Sequence, residues 1–326
     1  STLSIKGLES GIPAGKGIAS TRLALERHKT MYDDKNIVSA EWLKAHIDDS
    51  TLKIFDATFH IPATSRDAIA EFDEEHIPGA QRFDLGVIAD PDATLPHTVP
   101  SADVFQLHVQ ALGVNQKDHV IVYDDSVFMS SARAWWLLRL FGHANVSYLD
   151  GGLTAWKQAG GGVQKGASKT LVTGDFIAAK AQGAAITYMQ DLRPRVETGT
   201  AGQIVDARAT GRFSGELPEP RAGIRSGHIP GSLNVPVTSL FDPDTKLLKS
   251  SSELKDIMQA GGVNLSESIT TTCGTGVTAC ALALALELVG HLQIHPIRDL
   301  TGDFVEACHE ALEIFHFSVE KFQKLD

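Results

Sequence analysis

The chain has 326 residues, enough for about two domains of ordinary size. A hydrophobic fraction of 43% with 21% charged residues describes a globular chain with sizeable cores and excludes a disordered one. The net charge of −11 argues against a nucleic-acid backbone or an anionic membrane surface as partner, and no apolar run is long enough for a transmembrane helix.

Residues 1–34 read as an N-terminal segment without a secretory apolar core. Lys16, Arg22, Arg27 and Lys29 against Glu26 faintly resemble a mitochondrial presequence remnant, but the plainer reading is a solvated leading segment. Three cysteines make no disulfide framework and leave at least one free thiol, which fits a reducing compartment. A first domain over 35–165 opens with a helical pattern at Ser39–Ile47. A buried strand follows at Leu52–Ala57, and a second helical pattern spans Ala102–Leu112. The strand His119–Tyr123, an apolar helix at Ala132–Phe141 and the strand Val146–Leu149 complete it. A glycine-rich stretch, Gly160 to Gly166, leads into a linker over 166–183. The second domain, 184–326, carries strands at Gln203–Ala207, Ile269–Thr272 and Leu292–Ile297, with a long apolar helix at Thr278–Val289.

The two domains repeat one plan roughly 150 residues apart. His76-Ile-Pro-Gly-Ala returns as His228-Ile-Pro-Gly-Ser, and Phe55-Asp56-Ala57 as Val205-Asp206-Ala207. Gly113-Val114-Asn115 returns as Gly262-Val263-Asn264, each time ahead of a β-branched run and then an apolar helix. Strands alternating with helices predict an α/β fold: two tandem units, each a mostly parallel sheet with helices on both faces and a cleft between the units.

The chemistry is expected at Cys273-Gly274-Thr275-Gly276-Val277-Thr278. Cys273 follows a parallel strand and precedes a helix, the end of the sheet where α/β proteins carry their sites. Gly274 and Gly276 let the loop curl, so that its amides and the helix dipole form an anion cradle. Such a cradle favours thiolate over thiol and holds a negative persulfide equally well. An isolated buried cysteine is more often inert; the flanking glycines and the strand–loop–helix setting reverse that. Cys280 reads as a core residue of the helix, and Cys308 has no assigned role. A cysteine phosphatase needs an arginine at the end of this loop, where Thr278 and Ala279 stand instead. The matching place in the first half is Tyr123-Asp124-Asp125-Ser126, without a cysteine.

The loop Cys273–Thr278, the two His-Ile-Pro-Gly motifs and the duplication resemble the rhodanese superfamily, and within it the tandem-domain members that use 3-mercaptopyruvate. The resemblance implies two rhodanese-like domains, the second catalytic. Sulfur would pass from 3-mercaptopyruvate, or another small donor, through a Cys273 persulfide to a thiol or cyanide acceptor, with pyruvate released. Thioredoxin or a small thiol is the implied acceptor, no metal or organic cofactor is implied, and the compartment is cytoplasmic or mitochondrial. Residues Gly274, Gly276, Val277 and Thr278 would hold the donor and persulfide through their amides.

In Asp206-Ala-Arg208-Ala-Thr-Gly-Arg212 and onward to Arg221, the positions of Arg212 and Arg221 are those that grip mercaptopyruvate in the family. The plainer alternative pairs both arginines with Glu216 or Glu219; Arg208 is expected to pair with Asp206 inside the structure. A proton relay described for the family maps to Thr275, His76 and Asp67; because His228 repeats the motif of His76, a turn-stabilising role competes with it. Basic residues after the cysteine, typical of thiosulfate users, are replaced here by Gly274 and Thr275. The family's tryptophans after the last strand are absent from Thr301-Gly-Asp-Phe-Val-Glu-Ala307. A thiosulfate:cyanide sulfurtransferase and a non-catalytic rhodanese-like binding module remain the competing expectations.

Overall fold

The computed structural model describes residues 35–61, 64–167, 172–180, 186–220, 224–291 and 294–296. The leading segment 1–34, Arg221, Cys308 and the stretch 301–307 lie outside the described residues, as do parts of the linker.

The first half supplies strands β1 (Ile37–Val38), β2 (Leu52–Asp56), β3 (Gln81–Arg82), β4 (His119–Tyr123) and β5 (Val146–Leu149). They form one sheet in the order β1-β5-β4-β2-β3. The second half supplies β6 (Gln203–Asp206), β7 (Leu233–Asn234), β8 (Ile269–Thr272) and β9 (Ile294–Pro296), in the order β7-β6-β8-β9. Every pairing within these sheets is parallel. Asp56 lies beside Tyr123 as Asp206 lies beside Thr272. Ala57 N–H reaches Tyr123 O at 2.8 Å, and Ala207 N–H reaches Thr272 O at 2.9 Å. Asp124 and Cys273, each the next residue along the chain, therefore occupy equivalent places.

Alternation along the central strands sorts side chains to two faces. Phe55, Val120, Val122, Val146 and Tyr148 join a core shared with the second half, while Ile54, Ile121, Tyr123 and Leu149 pack with Phe72, Ile77 and Trp156 on the other face. The expected strands and helices end within a residue or two of the observed ones wherever they are described. The Ser251–Ala260 helix was not among them, although Ser250 and Glu253 form a capping box at its start.

Two helices join the halves. Ser131–Leu140 is buried except at Arg139, and Val277–Leu288 is buried except at Thr278 and Glu287. They pack on each other, with Trp135, Phe141, Val277 and Leu284 in one continuous core. A helix apolar all round needs cover on every side. Within its own half Val277–Leu288 packs on β8, β9 and the Ser251–Ala260 helix, and from the first half Ser131–Leu140 packs on it. Each of its leucines, Leu282, Leu284, Leu286 and Leu288, contributes about 1.5–3 kcal/mol through burial. At the far end of the pair, Arg139 grips the Glu287 carboxylate with both terminal nitrogens, Nη2 to Oε1 at 2.8 Å, and stacks over Trp135 with its centre 4.7 Å from the ring centroid.

Candidate active site

Strand β8 ends at Thr272, and Cys273 begins the loop that becomes the Val277–Leu288 helix. Gly276 caps that helix with φ +77°, a left-handed conformation that only glycine adopts without strain. This turn aims Gly276 N–H at Cys273 Sγ, 3.1 Å away. The amides of Gly274, Thr275, Val277 and Thr278 have no hydrogen-bond acceptor among the described residues. One amide of the expected cradle thus holds the sulfur, and four more at the same helix start remain as donors. Gly274 contributes differently from the expectation, by closeness to a side chain rather than by a left-handed turn. Its φ is not left-handed, and a Cβ there would stand 3.1 Å from Arg212 Nη2.

Arg212 thus rests against the cysteine loop. It lies on the short Thr210–Ser214 helix after β6 and is held from behind by Glu219, with Nε to Oε1 at 3.1 Å and Nη2 to Oε2 at 2.5 Å. Glu219 also accepts from Arg208 Nη1 at 2.8 Å, while Arg208 clamps Asp206 through Nε and Nη2. Burial alone raises the Glu219 carboxyl, but the two guanidiniums outweigh it and hold the group below the usual carboxylate range. The Arg212–Glu219 pair, foreseen as the plain alternative, and the expected Arg208–Asp206 pair are both present. They do not remove Arg212 from the site, because its Nη1 keeps no acceptor among the described residues.

A thiol at a parallel strand end, an amide on its sulfur and a guanidinium against the same loop all lie in the second of two equivalent units. Residues 39–159 and 189–310 each match the rhodanese-like domain. The chain belongs to the rhodanese family. It is 40% identical over 276 residues to human 3-mercaptopyruvate sulfurtransferase, covering 83% of this chain and 91% of that protein. It is 42% identical over 250 residues to the Escherichia coli K12 3-mercaptopyruvate sulfurtransferase, covering 76% and 87%. An Arabidopsis thaliana relative, 39% identical over 282 residues with 81% and 74% covered, is the mitochondrial thiosulfate/3-mercaptopyruvate sulfurtransferase 1. The crystal structure of SseA from Escherichia coli, one of the 3-mercaptopyruvate sulfotransferases, superposes with a TM-score of 0.73 at 38% identity, over 81% of this chain and 97% of that one.

The N-terminal rhodanese-like domain fills its own cradle. Asp124 stands where Cys273 stands in the second domain. Its carboxylate accepts from the amides of Ser126, Ser130 and Ser131 at 3.0, 3.1 and 3.2 Å. The hydroxyls of Ser126 and Ser131 add two short bonds. The anion site of the fold is thus satisfied internally, and a nucleophile is replaced by a buried structural carboxylate. Lys246 of the second domain reaches this loop, donating to Ser126 O at 2.9 Å.

Hydrogen bonds among the described residues do not link Thr275, His76 and Asp67. His76 Nδ1 contacts Phe72 O at 2.7 Å, and the ring stacks on Phe72 with centroids 3.9 Å apart. A carbonyl only accepts, so Nδ1 must carry the proton. His76 also bridges Gln164 through both backbone groups. Its aromatic partner belongs to the core on the opposite face of the first sheet from the core that includes Cys273. His228 repeats the arrangement, with Nδ1 2.7 Å from Phe213 O and rings 3.9 Å apart. Asp67 caps the Ala68–Glu74 helix, accepting from Ile69 N and Ala70 N at 2.9 and 3.1 Å. Thr275 is half-buried, and its hydroxyl has no partner among the described residues.

Arg133 went unnoticed in the sequence. It sits in the first domain's Ser131–Leu140 helix, is 2% exposed, and reaches the carbonyl of Gly276 with Nη1 at 3.4 Å. The only signal was a charge inside the apolar run Ala132-Arg-Ala-Trp-Trp-Leu-Leu138. Nothing local to that run says what the arginine meets.

Proposed function

We propose that this protein is a 3-mercaptopyruvate sulfurtransferase that carries sulfur on Cys273, with a non-catalytic domain at 35–165 and a catalytic domain at 184–326. The observation that carries the reading is the pairing of a thiol on the Gly276 amide with a guanidinium against the same loop. The thiolate of Cys273 attacks the donor's thiol sulfur and an S–S bond forms. The donor's C–S bond breaks, its electron pair passes into the pyruvate enolate, and the enolate takes the proton that the donor thiol releases. The products are pyruvate and a persulfide anion, whose charge the loop amides hold. A thiol or cyanide then attacks the outer sulfur and returns Cys273 as thiolate. Thioredoxin or a small thiol is the acceptor we favour, in the cytoplasm or mitochondrion. The Arabidopsis relative is mitochondrial by name, and no helix among the described residues is long and apolar enough to cross a membrane.

Arg212 and Arg221 grip the carboxylate and ketone of the donor. Arg212→Ala is expected to raise KM for 3-mercaptopyruvate by roughly 10- to 100-fold, the worth of a charge-assisted pair, with a smaller change in kcat. Steady-state kinetics on the variant checks this; an unchanged KM removes Arg212 from the donor site.

The Arabidopsis relative's name includes thiosulfate, so that donor is the second reading. The loop offers a thiosulfate dianion Gly274 and Thr275 where basic residues would suit it. Pyruvate release from 3-mercaptopyruvate should therefore far exceed thiocyanate formation from thiosulfate and cyanide. The opposite ranking of kcat/KM overturns the assignment.

A further inference from the structure

Burying a cation is costly unless an anion or a full set of hydrogen bonds compensates it. A guanidinium is a cation that does not shed its charge in proteins. The partners of Arg133 are neutral: His97 O at 2.7 Å from Nη2, Gly276 O at 3.4 Å and Cys280 Sγ at 3.7 Å from Nη1, and the face of Trp136 at 4.8 Å. No carboxylate pairs with it among the described residues. The contacts at 3.4 and 3.7 Å are too long to be strong hydrogen bonds, so the guanidinium acts there chiefly through its charge. Cys280 does not neutralise it. Burial pushes that thiol up to about 11, and the thiol donates to Gly276 O at 3.1 Å.

Gly276 is the shared element. Its N–H holds Cys273 Sγ, and its carbonyl faces Arg133 and Cys280. Because a peptide unit is planar, drawing the Gly276 carbonyl toward Arg133 sets the direction of the Val277 N–H on the other side of that unit. The charge also polarises the amides at the helix start, strengthening them as donors. The anion that would compensate Arg133 is the one that forms on the loop.

We propose that Arg133 is a positioning residue for sulfur transfer: a buried cation from the non-catalytic domain that orients the Gly276–Val277 peptide and favours negative sulfur on Cys273. This deepens the reading of Cys273 as the sulfur carrier and rests on it. It also gives the cysteine-free domain a part in the chemistry.

The test compares wild type, Arg133→Gln, Arg133→Lys and Arg139→Met. Glutamine keeps a donor without the charge, and lysine keeps the charge. Arg139→Met breaks the other polar link between the same two helices, to Glu287, far from the loop. Rapid-quench intact mass gives the rate of persulfide formation from 3-mercaptopyruvate; KM and Tm are measured alongside. Arg133→Gln is expected to slow persulfide formation by about 10-fold or more with KM changed less than about threefold, and Arg133→Lys to recover most of the rate. Arg139→Met should lower Tm and leave the rate unchanged. Equal rates for the Gln and Lys variants overturn the proposal, as does a loss in Arg139→Met as large as that in Arg133→Gln, which would mark a domain-packing effect. A wild-type protein that gains no sulfur overturns the Cys273 reading itself, and Arg133 with it.

Discussion

Cys273→Ser should abolish sulfur transfer, lowering kcat by at least about 10⁴-fold, the scale of a lost catalytic nucleophile. A serine hydroxyl does not ionise near neutrality and forms no bond to sulfur that a thiol acceptor reverses. The neighbouring Cys280 cannot substitute. It lies fully inside the helix pair, its thiol is spent on Gly276 O, and burial keeps it protonated far above neutral pH. After incubation with 3-mercaptopyruvate, intact mass should show one added sulfur on wild type and none on Cys273→Ser. A wild-type chain that gains no sulfur from any donor is a binding module, and the enzymatic reading falls with that result.

Asp124→Ala should be the most damaging change outside the catalytic loop. The carboxylate accepts from three amides and two hydroxyls, all buried. Alanine removes the acceptor of the Ser126 and Ser131 amides and of both hydroxyls, and leaves the Ser130 amide only Ser126 Oγ at 3.1 Å, at the start of the Ser131–Leu140 helix that packs against Val277–Leu288. Bonds to a charged acceptor contribute about 1.5–3 kcal/mol each, and they are lost together. A destabilisation of about 3 kcal/mol or more follows, which lowers Tm by roughly 6–12 °C. Asp124→Asn, with the same shape and one remaining acceptor oxygen, should lose less. Thermal unfolding of both variants checks this; an alanine variant within about 1 °C of wild type shows that the cradle does not need its carboxylate.

Much of the architecture was legible because its signals are local. The β-branched run His119–Tyr123 and the run Ile269–Thr272 are strands with those bounds, and Ser39 and Ser101 cap helices where the pattern places their starts. The duplication read from paired motifs became two sheets with the same strand order apart from β1. Within the site, the position of Cys273 at a strand end was legible for the same reason. The part given to Gly274 was not. Its glycine looked like a device for bending the chain, whereas its φ is not left-handed and the Arg212 guanidinium lies close beside it.

By itself, the order of residues determined the repeated α/β plan and the place of the one cysteine that opens a glycine-containing loop, because hydrophobic period and glycine conformation act over a few residues. Tertiary structure alone decided that Asp124 plugs the first cradle, that His76 stacks on Phe72 and bridges Gln164, and that Arg133 spans to Gly276. Each of those outcomes depends on groups meeting across a fold. The energy of such a meeting is set by burial and by what else lies within a few ångströms, neither of which is written in neighbouring residues.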